Sequence, residues 1–449
     1  MVEDRRKKLA ALGAETLADA MLELATHVEV ADDLVERLVA TPSENIQRYK
    51  SKLAELKRRN HFISWRESAE YAYQLKMLLA DLKSGVEDAC AGVLLVAALF
   101  QADCDILEQC DDSDGIVGNV FQYDAKELFS FYASSCEEKA WLGEMIFDLC
   151  QKDEYGVRAI LVDCAGQYLP ESEIRDLIDK FQAAAGSEAE EYKKKYWMLC
   201  IQSLARQVRD APLFEKVRLS DSSSPSSAAF IDVARVHLEC GNVETALSWI
   251  QQVPAEERFH EHDRDQLLLE IYSRTGDKEK QSRVAWRIFR RKRSSRALSD
   301  LLTVIGSNQR EAVITDEVAA ILEGKALSYS NAKFLIEMGN IDAAEIYLLD
   351  RADQLNGDFY RRLLPLAEAM ESSGHWLCAS IIYRSLLDSI LRRAQSKAYA
   401  HGVNYLKKLD EIAPSIRNWR DFETHKIYLD NLRRQHTRKR SFWPRYENG

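Results

Sequence analysis

The sequence holds little that breaks a helix. Its 449 residues include eight prolines and eighteen glycines. That is too few for a fold dominated by strands joined through tight turns. No apolar run approaches the ~20 residues that span a bilayer. The most apolar window, AGVLLVAALF from Ala91 to Phe100, is expected to be a fully buried helix. After Arg5-Arg6-Lys7-Lys8 the apolar stretch stops at Glu15, too soon for a secretory h-region. A soluble, cytoplasmic protein with no membrane association is therefore expected. Also missing are a glycine-rich phosphate loop, a Gly-x-Ser-x-Gly elbow and a kinase motif set. The expectation is a protein that is not an enzyme and has no cofactor.

Cys-x-x-Cys pairs are absent too, and the nine cysteines are an odd number. Cys90, Cys136, Cys150, Cys200 and Cys378 fall inside predicted helices. They read as free, buried thiols in a reducing compartment rather than as metal ligands. The formal charge of −11 repels polyanions at long range, which argues against a general nucleic-acid or anionic-membrane binder and leaves room for a local basic patch. What the sequence does have is 46% apolar and 30% charged residues, the mixture of a protein with real cores and long exposed helix faces.

The positions of the few glycines are informative. In EIYSRTGDKEKQSRVAWRIF, Gly276-Asp277 separates two amphipathic segments. Glycine just past a helix takes the left-handed conformation without a Cβ clash, and aspartate caps the next helix. The same punctuation recurs at Gly241-Asn242, Gly339-Asn340 and Gly374-His375, and more weakly at Gly306-Ser307. Successive glycines lie 35, 30, 33 and 35 residues apart. Five residues after four of them come Ala246, Gln281, Ala344 and Ala379; nine residues after come Ile250, Ala285, Leu348 and Tyr383. A period near 34 is that of tetratricopeptide-like repeats, which stack helical hairpins on one continuous core. A plain helical bundle with glycine turns is the competing arrangement.

Length alone suggests two or three domains. Residues 1–60 give two or three helices, the second long one carrying a short seam of Ile46, Tyr49, Leu53 and Leu56, read as packing within its own domain. Ser64 with Glu67 forms a capping box. Around Pro170 two amphipathic helices pair in the manner of HEAT hairpins. LSDSSSPSSA, residues 219–228, is the one low-complexity stretch. The expected organisation is an N-terminal helical domain over 1–218, a serine-rich linker over 219–228 and a C-terminal repeat domain over 229–449. The expected fold class is all-α, an α-solenoid that is HEAT-like in its first half and tetratricopeptide-like in its second.

Few constellations carry chemistry. CDDSDGIVGNVF, from Cys110 to Phe121, superficially resembles a calcium loop but ends in Phe121 where a bidentate acid is required, so it reads as a turn before a helix. FHEHDRD lacks the spacing that places two imidazoles on one helix face and reads as an inter-repeat loop. The strongest polar signals are RIFRRKRSSR and RRQHTRKRSFWPR, each with six cations and no acid. Cations also favour helix C-termini, and long arginine stems cover apolar grooves. Arg290, Arg291, Arg293, Arg438 and Arg440 are the candidate anchors for an acidic partner surface. Phe442 and Trp443 interleave with the tail cations, which gives nucleic-acid binding as the alternative.

The wording from about Asp265 onward, including LLLEIYSRTGD, VAWRIFRRKRS and NAKFLIEMGNIDAAEIYLLDRADQL, resembles a bacterial family of uncharacterised proteins. SWRESAEYAYQLKMLLADL and DEYGVRAILVDCAGQYLPE resemble the same family's first half. The closing region is similar to the helical tail of some SWIM zinc-finger proteins, but the Cys-x-Cys and Cys-x-His ligand pairs do not occur here, so no metal site carries over. The resemblance implies no activity and no site residues. The function expected is a non-catalytic scaffold binding a protein or peptide partner.

Overall fold

The protein is described from a computed structural model covering residues 2–58, 61–220 and 225–447. Among these residues helix follows helix, and the β-type pairing is one isolated parallel bridge between Ile63 and Cys110. The all-α helical-repeat expectation holds. The protein forms two compact units, Met1–Val253 and Pro254–Gly449. The serine-rich segment 219–228 lies within the first; its residues 221–224 are outside the described residues.

In the first unit, helix Pro42–Arg58 buries Tyr49, Leu53 and Leu56 of the predicted seam against helix Ser68–Gly85. Ser64 Oγ donates to Glu67 at 2.7 Å and its amide does so at 3.2 Å, closing the predicted capping box. Helix Ala89–Phe100 corrects one expectation. It buries Val93, Val96 and Phe100 but leaves Leu94 54% exposed, so it is packed on one side and not all round. A second correction concerns its first turn. Cys90 and Cys136 are not free: they form a disulfide with a Cα–Cα distance of 5.1 Å. The cause is close helix packing. A Cβ on Gly92 would sit 2.4 Å from Tyr132 Cγ, so glycine brings this helix onto Lys126–Ser135, whose C-cap is Cys136. Forty-six residues separate the two cysteines, and no local spacing announces the pair.

The Cys110–Phe121 stretch is a turn that spends its acids on its own backbone. Asp112 accepts from Val117 N at 2.7 Å and Gly118 N at 2.8 Å, and Gly115 has φ +72°.

The repeat begins with α1 (Glu191–Gln207) and α2 (Ala211–Leu219), then α3 (Ser227–Glu239) and α4 (Val243–Ile250), all in the first unit. The second unit holds α5 (Glu261–Thr275), α6 (Lys278–Arg291), α7 (Ser295–Ile305), α8 (Arg310–Glu323), α9 (Tyr329–Glu337), α10 (Ile341–Leu349), α11 (Tyr360–Ser372), α12 (Trp376–Arg392), α13 (Tyr399–Ile412) and α14 (His425–Gln435). The FHEHDRD stretch is not a loop throughout: Glu261 opens α5, where acids in the first turn suit the positive end of the helix dipole.

Each predicted corner is a helix reversal. Gly241, Gly276, Gly339 and Gly374 have φ between +72° and +89°. In each case the glycine amide and the next amide reach back into the preceding helix. Gly276 N donates to Ser273 O and Asp277 N to Tyr272 O; Gly374 N donates to Glu371 O and His375 N to Met370 O. This is the Schellman pattern that satisfies carbonyls left open at a helix end. Asp277 then accepts from Lys280 N at 3.1 Å. Gly306 is the exception: with φ +103° and ψ +136° it exits extended into a 3-10 turn, matching its weaker sequence signal. Two further corners of the same kind carry no glycine. Arg209 (φ +56°) ends α1 and Ala394 (φ +53°) ends α12, with Asp210 N bonding Ala205 O and Gln395 N bonding Ile390 O.

Stacking follows from the small residues after the corners. Ala246, Ala344 and Ala379 are fully buried, and Ile250, Leu348 and Tyr383 fill the space beside them. In the second unit α8 packs on α10, α9 on α11 and α10 on α12, the contact between alternate helices that hairpin stacking produces.

Two outcomes are expected. Gly276→Ala lowers stability by about 1 kcal/mol, because a Cβ at positive φ is strained even in open space. Ala394→Gly leaves stability unchanged or raises it by up to about 1 kcal/mol, because relief of that strain opposes the added unfolded-state entropy. Urea midpoints of the two variants, moving in the same direction, would contradict this account of the corners. Thiol titration of the denatured, unreduced protein is expected to find seven free thiols, with one cross-linked peptide joining Cys90 to Cys136. Finding nine thiols would remove the bridge.

Candidate functional site

The basic run that ends α6 was expected to face a partner; in the structure Arg287, Arg290, Arg291 and Arg293 each pair with a buried carboxylate of the same unit, while Arg287, Arg290 and Arg291 remain exposed. Asp265 on α5 is fully buried. It accepts from Arg287 at 2.6 Å and from Arg291, with Arg264 at 3.6 Å. Glu317 on α8 is also fully buried. It accepts from Arg290 Nε at 2.8 Å and from Arg293 Nε at 2.7 Å; Arg293 also reaches Asn331 Oδ1 at 3.3 Å. Arg290 lies over the Trp286 ring at 4.6 Å. Arg290, Arg291 and Arg293 are thus counter-ions to two carboxylates inside the same unit. A signal for this was present: Val313, Glu317 and Ile321 form one buried stripe with an acid at its centre.

Arg438 and Arg440 lie in the turn between α14 and the short helix Trp443–Glu447, both exposed and without an acidic partner among the described residues. The aromatics beside them are not free to stack on bases. Phe442 is fully buried, 5.6 Å from the Tyr399 ring, and Trp443 Nε1 donates to His436 O at 2.9 Å.

The residues that sequence reasoning missed lie on α12. Ile381, Arg384, Ser385, Asp388, Ser389 and Arg392 recur at helical spacing and form one wall of a cavity of about 580 Å³. Segment 352–357 supplies the opposite wall and Phe422 one edge. The walls meet closely: a Cβ on Gly357 would lie 2.0 Å from Ser385 O, so only glycine fits there.

Arg384 is 7% exposed. Its Cζ sits 4.9 Å from the Trp419 ring centroid and 4.5 Å from that of Tyr428, and Nη1 donates to Glu423 O at 2.8 Å. Nε and Nη2, the two donors along the other edge, have no acceptor. Burial pulls this guanidinium below its ordinary pKa. One helical turn on, Asp388 accepts from the Tyr428 hydroxyl at 2.7 Å, and burial pushes its carboxyl up. Asp358, beside the cavity, accepts from Ser389 and lies 3.0 Å from Arg393; the Ser389 hydrogen bond holds its carboxyl low.

The first unit has a smaller cavity, about 320 Å³, lined by Asp33, Lys52, Glu55, Glu70, Tyr73 and Met77. Its lysine and one of its acids are paired. Lys52 pairs with Asp33 at 3.4 Å and with buried Asp81 at 3.1 Å. The cavity beside Arg384 is the better candidate because it is larger and one of its lining residues carries two buried donors without an acceptor.

The ion-pair lattice makes its own forecast. Glu317→Ala leaves the largely buried Arg293 without its counter-ion and is expected to cost about 3 kcal/mol in denaturant titrations. Arg290→Ala, at a side chain 57% exposed, is expected to cost under about 1 kcal/mol. Equal costs for the two would mean that Glu317 is not the buried centre of the pair.

No curated protein and no solved structure matches the sequence. A family of unknown function, DUF6880, matches over residues 5–219 and again over 218–445, and the two matches meet at the end of α2. With nearly all of its length accounted for in this way, the chain belongs to that family of unknown function.

Proposed function

We propose that the protein is a non-catalytic helical-repeat scaffold of tetratricopeptide-like hairpins that binds a protein or peptide partner, and that the cavity beside Arg384 seats an extended segment of that partner. The observation that carries this reading is a roomy cleft between α12 and segment 352–357 whose lining includes a buried arginine with unpaired donors. Stacked hairpins present long grooves suited to such segments. Supporting it, Leu22, Leu24, Leu38 and Val39 on the N-terminal helices are each more than half exposed, as apolar surface at protein contacts tends to be.

Asp103 is clamped by Arg158 Nε at 2.9 Å, and Asp410 accepts from Tyr446 at 2.7 Å and lies 2.7 Å from His425. Nucleic-acid binding through Arg438 and Arg440 is the weaker alternative, since Phe442 is core. A bacterial, cytoplasmic setting belongs to the same proposal. No helix among the described residues is long and apolar enough to cross a membrane. The Cys90–Cys136 bridge pulls the other way, because disulfides persist in oxidising compartments.

Affinity capture from native lysate, split into nuclease-treated and untreated halves, tests the reading by mass spectrometry. A protein partner retained in both halves is expected. Loss of every partner after nuclease would favour the nucleic-acid alternative, and capture of nothing in either half would remove the scaffold. An Arg438→Glu, Arg440→Glu double variant that retains every partner would discard those two as anchors.

A further inference from the structure

A helix in a stack of hairpins buries its apolar side against a neighbour. Helix Ala14–Ala25 does not. None of its residues is buried, although it carries Leu17, Met21, Leu22 and Leu24. Leu22 is 54% exposed. On helix Glu29–Val39, which packs against it, Val30, Leu34 and Leu38 recur every four residues as one stripe, and all three are exposed. A hairpin with this much open apolar surface lacks a cover.

Charge decides what the cover is. Helix Ala14–Ala25 holds Glu15, Asp19 and Glu23 at four-residue spacing and no lysine or arginine. These acids are exposed and make no ion pair among the described residues. The same face of a second copy sets acid against acid, which opposes a symmetric pairing through it. A cationic surface is required, and α14 with the residues after it supplies one. Arg434, Arg438 and Arg440 are exposed there and make no ion pair among the described residues, whereas Arg433 already lies 3.5 Å from Glu447. Ile427, two turns before Arg434 on α14, is 49% exposed.

The first unit already contains a joint of this kind. The hairpin of α1 and α2 meets α3 through a small apolar cluster that includes Phe214 and Val233. Beside it Arg206 Nε donates to Glu239 at 2.7 Å and Arg218 Nε to Asp232 at 3.0 Å. Cations of one hairpin thus meet acids on the first helix of the next. Asp232 is the sixth residue of α3, as Asp19 is of helix Ala14–Ala25. We propose that the protein associates head to tail with a second copy of itself. Helix Ala14–Ala25 of one copy docks on the basic tail of the other, with Glu15, Asp19 and Glu23 facing Arg434, Arg438 and Arg440, and with Leu22 and Ile427 inside the contact. Such a contact joins two different surfaces, so it builds an open chain or a closed ring. It does not depend on the cleft beside Arg384: failure of either proposal leaves the other standing.

Sedimentation velocity on the purified protein alone tests this. At low salt the weight-average mass is expected to exceed that of one chain and to climb with protein concentration. In about 1 M salt, where the Debye length is about 3 Å, it is expected to fall back towards one chain. Two variants probe the two surfaces: Glu15→Lys, Asp19→Lys, Glu23→Lys in one, and Arg434→Glu, Arg438→Glu, Arg440→Glu in the other. Each alone is expected to associate about tenfold more weakly or worse, because like charges then face each other. Mixing the two is expected to restore association, since the reversed head of one variant fits the reversed tail of the other. A single species of one-chain mass at every concentration in low salt overturns the proposal. So does association that ignores salt, that either variant retains at full strength, or that the mixture fails to recover. Should circular dichroism show that a variant has lost its helices, the concentration and salt dependence of the unaltered protein decides the matter.

Discussion

Two backbone hydrogen bonds at the end of a helix govern this architecture. Wherever the backbone reverses through Gly241, Gly276, Gly339 or Gly374, consecutive amides close onto carbonyls three and five residues back. The reversal satisfies groups a helix end otherwise leaves open, and it sends the next helix back alongside the last. Everything later in the repeat depends on that geometry. The buried alanines, the interlocked larger side chains and the contact between alternate helices exist because each corner turns the same way.

The corners were legible because left-handed backbone strongly favours glycine, and glycine is scarce in this sequence. Arg209 and Ala394 make the same turn unannounced, since packing and the two amide bonds overcome the strain of a Cβ. Gly306 shows the converse: its positive φ was anticipated, but the helix leaves it extended and no paired amide closure forms. Local chemistry thus located most reversals and missed those decided by tertiary contacts.

Charge was less legible for a related reason. A run such as RIFRRKRSSR looks unpaired because its counter-ions lie far off in sequence, at Asp265 and Glu317. Only Glu317, set between Val313 and Ile321 on a buried stripe, gave a local hint. The cleft was less visible still. Arg384 and Asp388 sit on a helix whose pattern is otherwise apolar, and the groups that give them meaning, Trp419, Glu423 and Tyr428, arrive more than thirty residues later. The disulfide had the same obstacle: its partners meet only after Gly92 lets two helices close on Tyr132.

The contact at Gly357 has a mechanical consequence. Its backbone rests directly on the carbonyl of Ser385, leaving nothing between the two walls that could be compressed or rotated away. The spacing between segment 352–357 and α12 is therefore fixed during folding. Anything entering the gap meets a rigid slot and avoids the entropy of ordering its receptor. An occupant must therefore fit the gap as folding leaves it, since neither wall yields at that point.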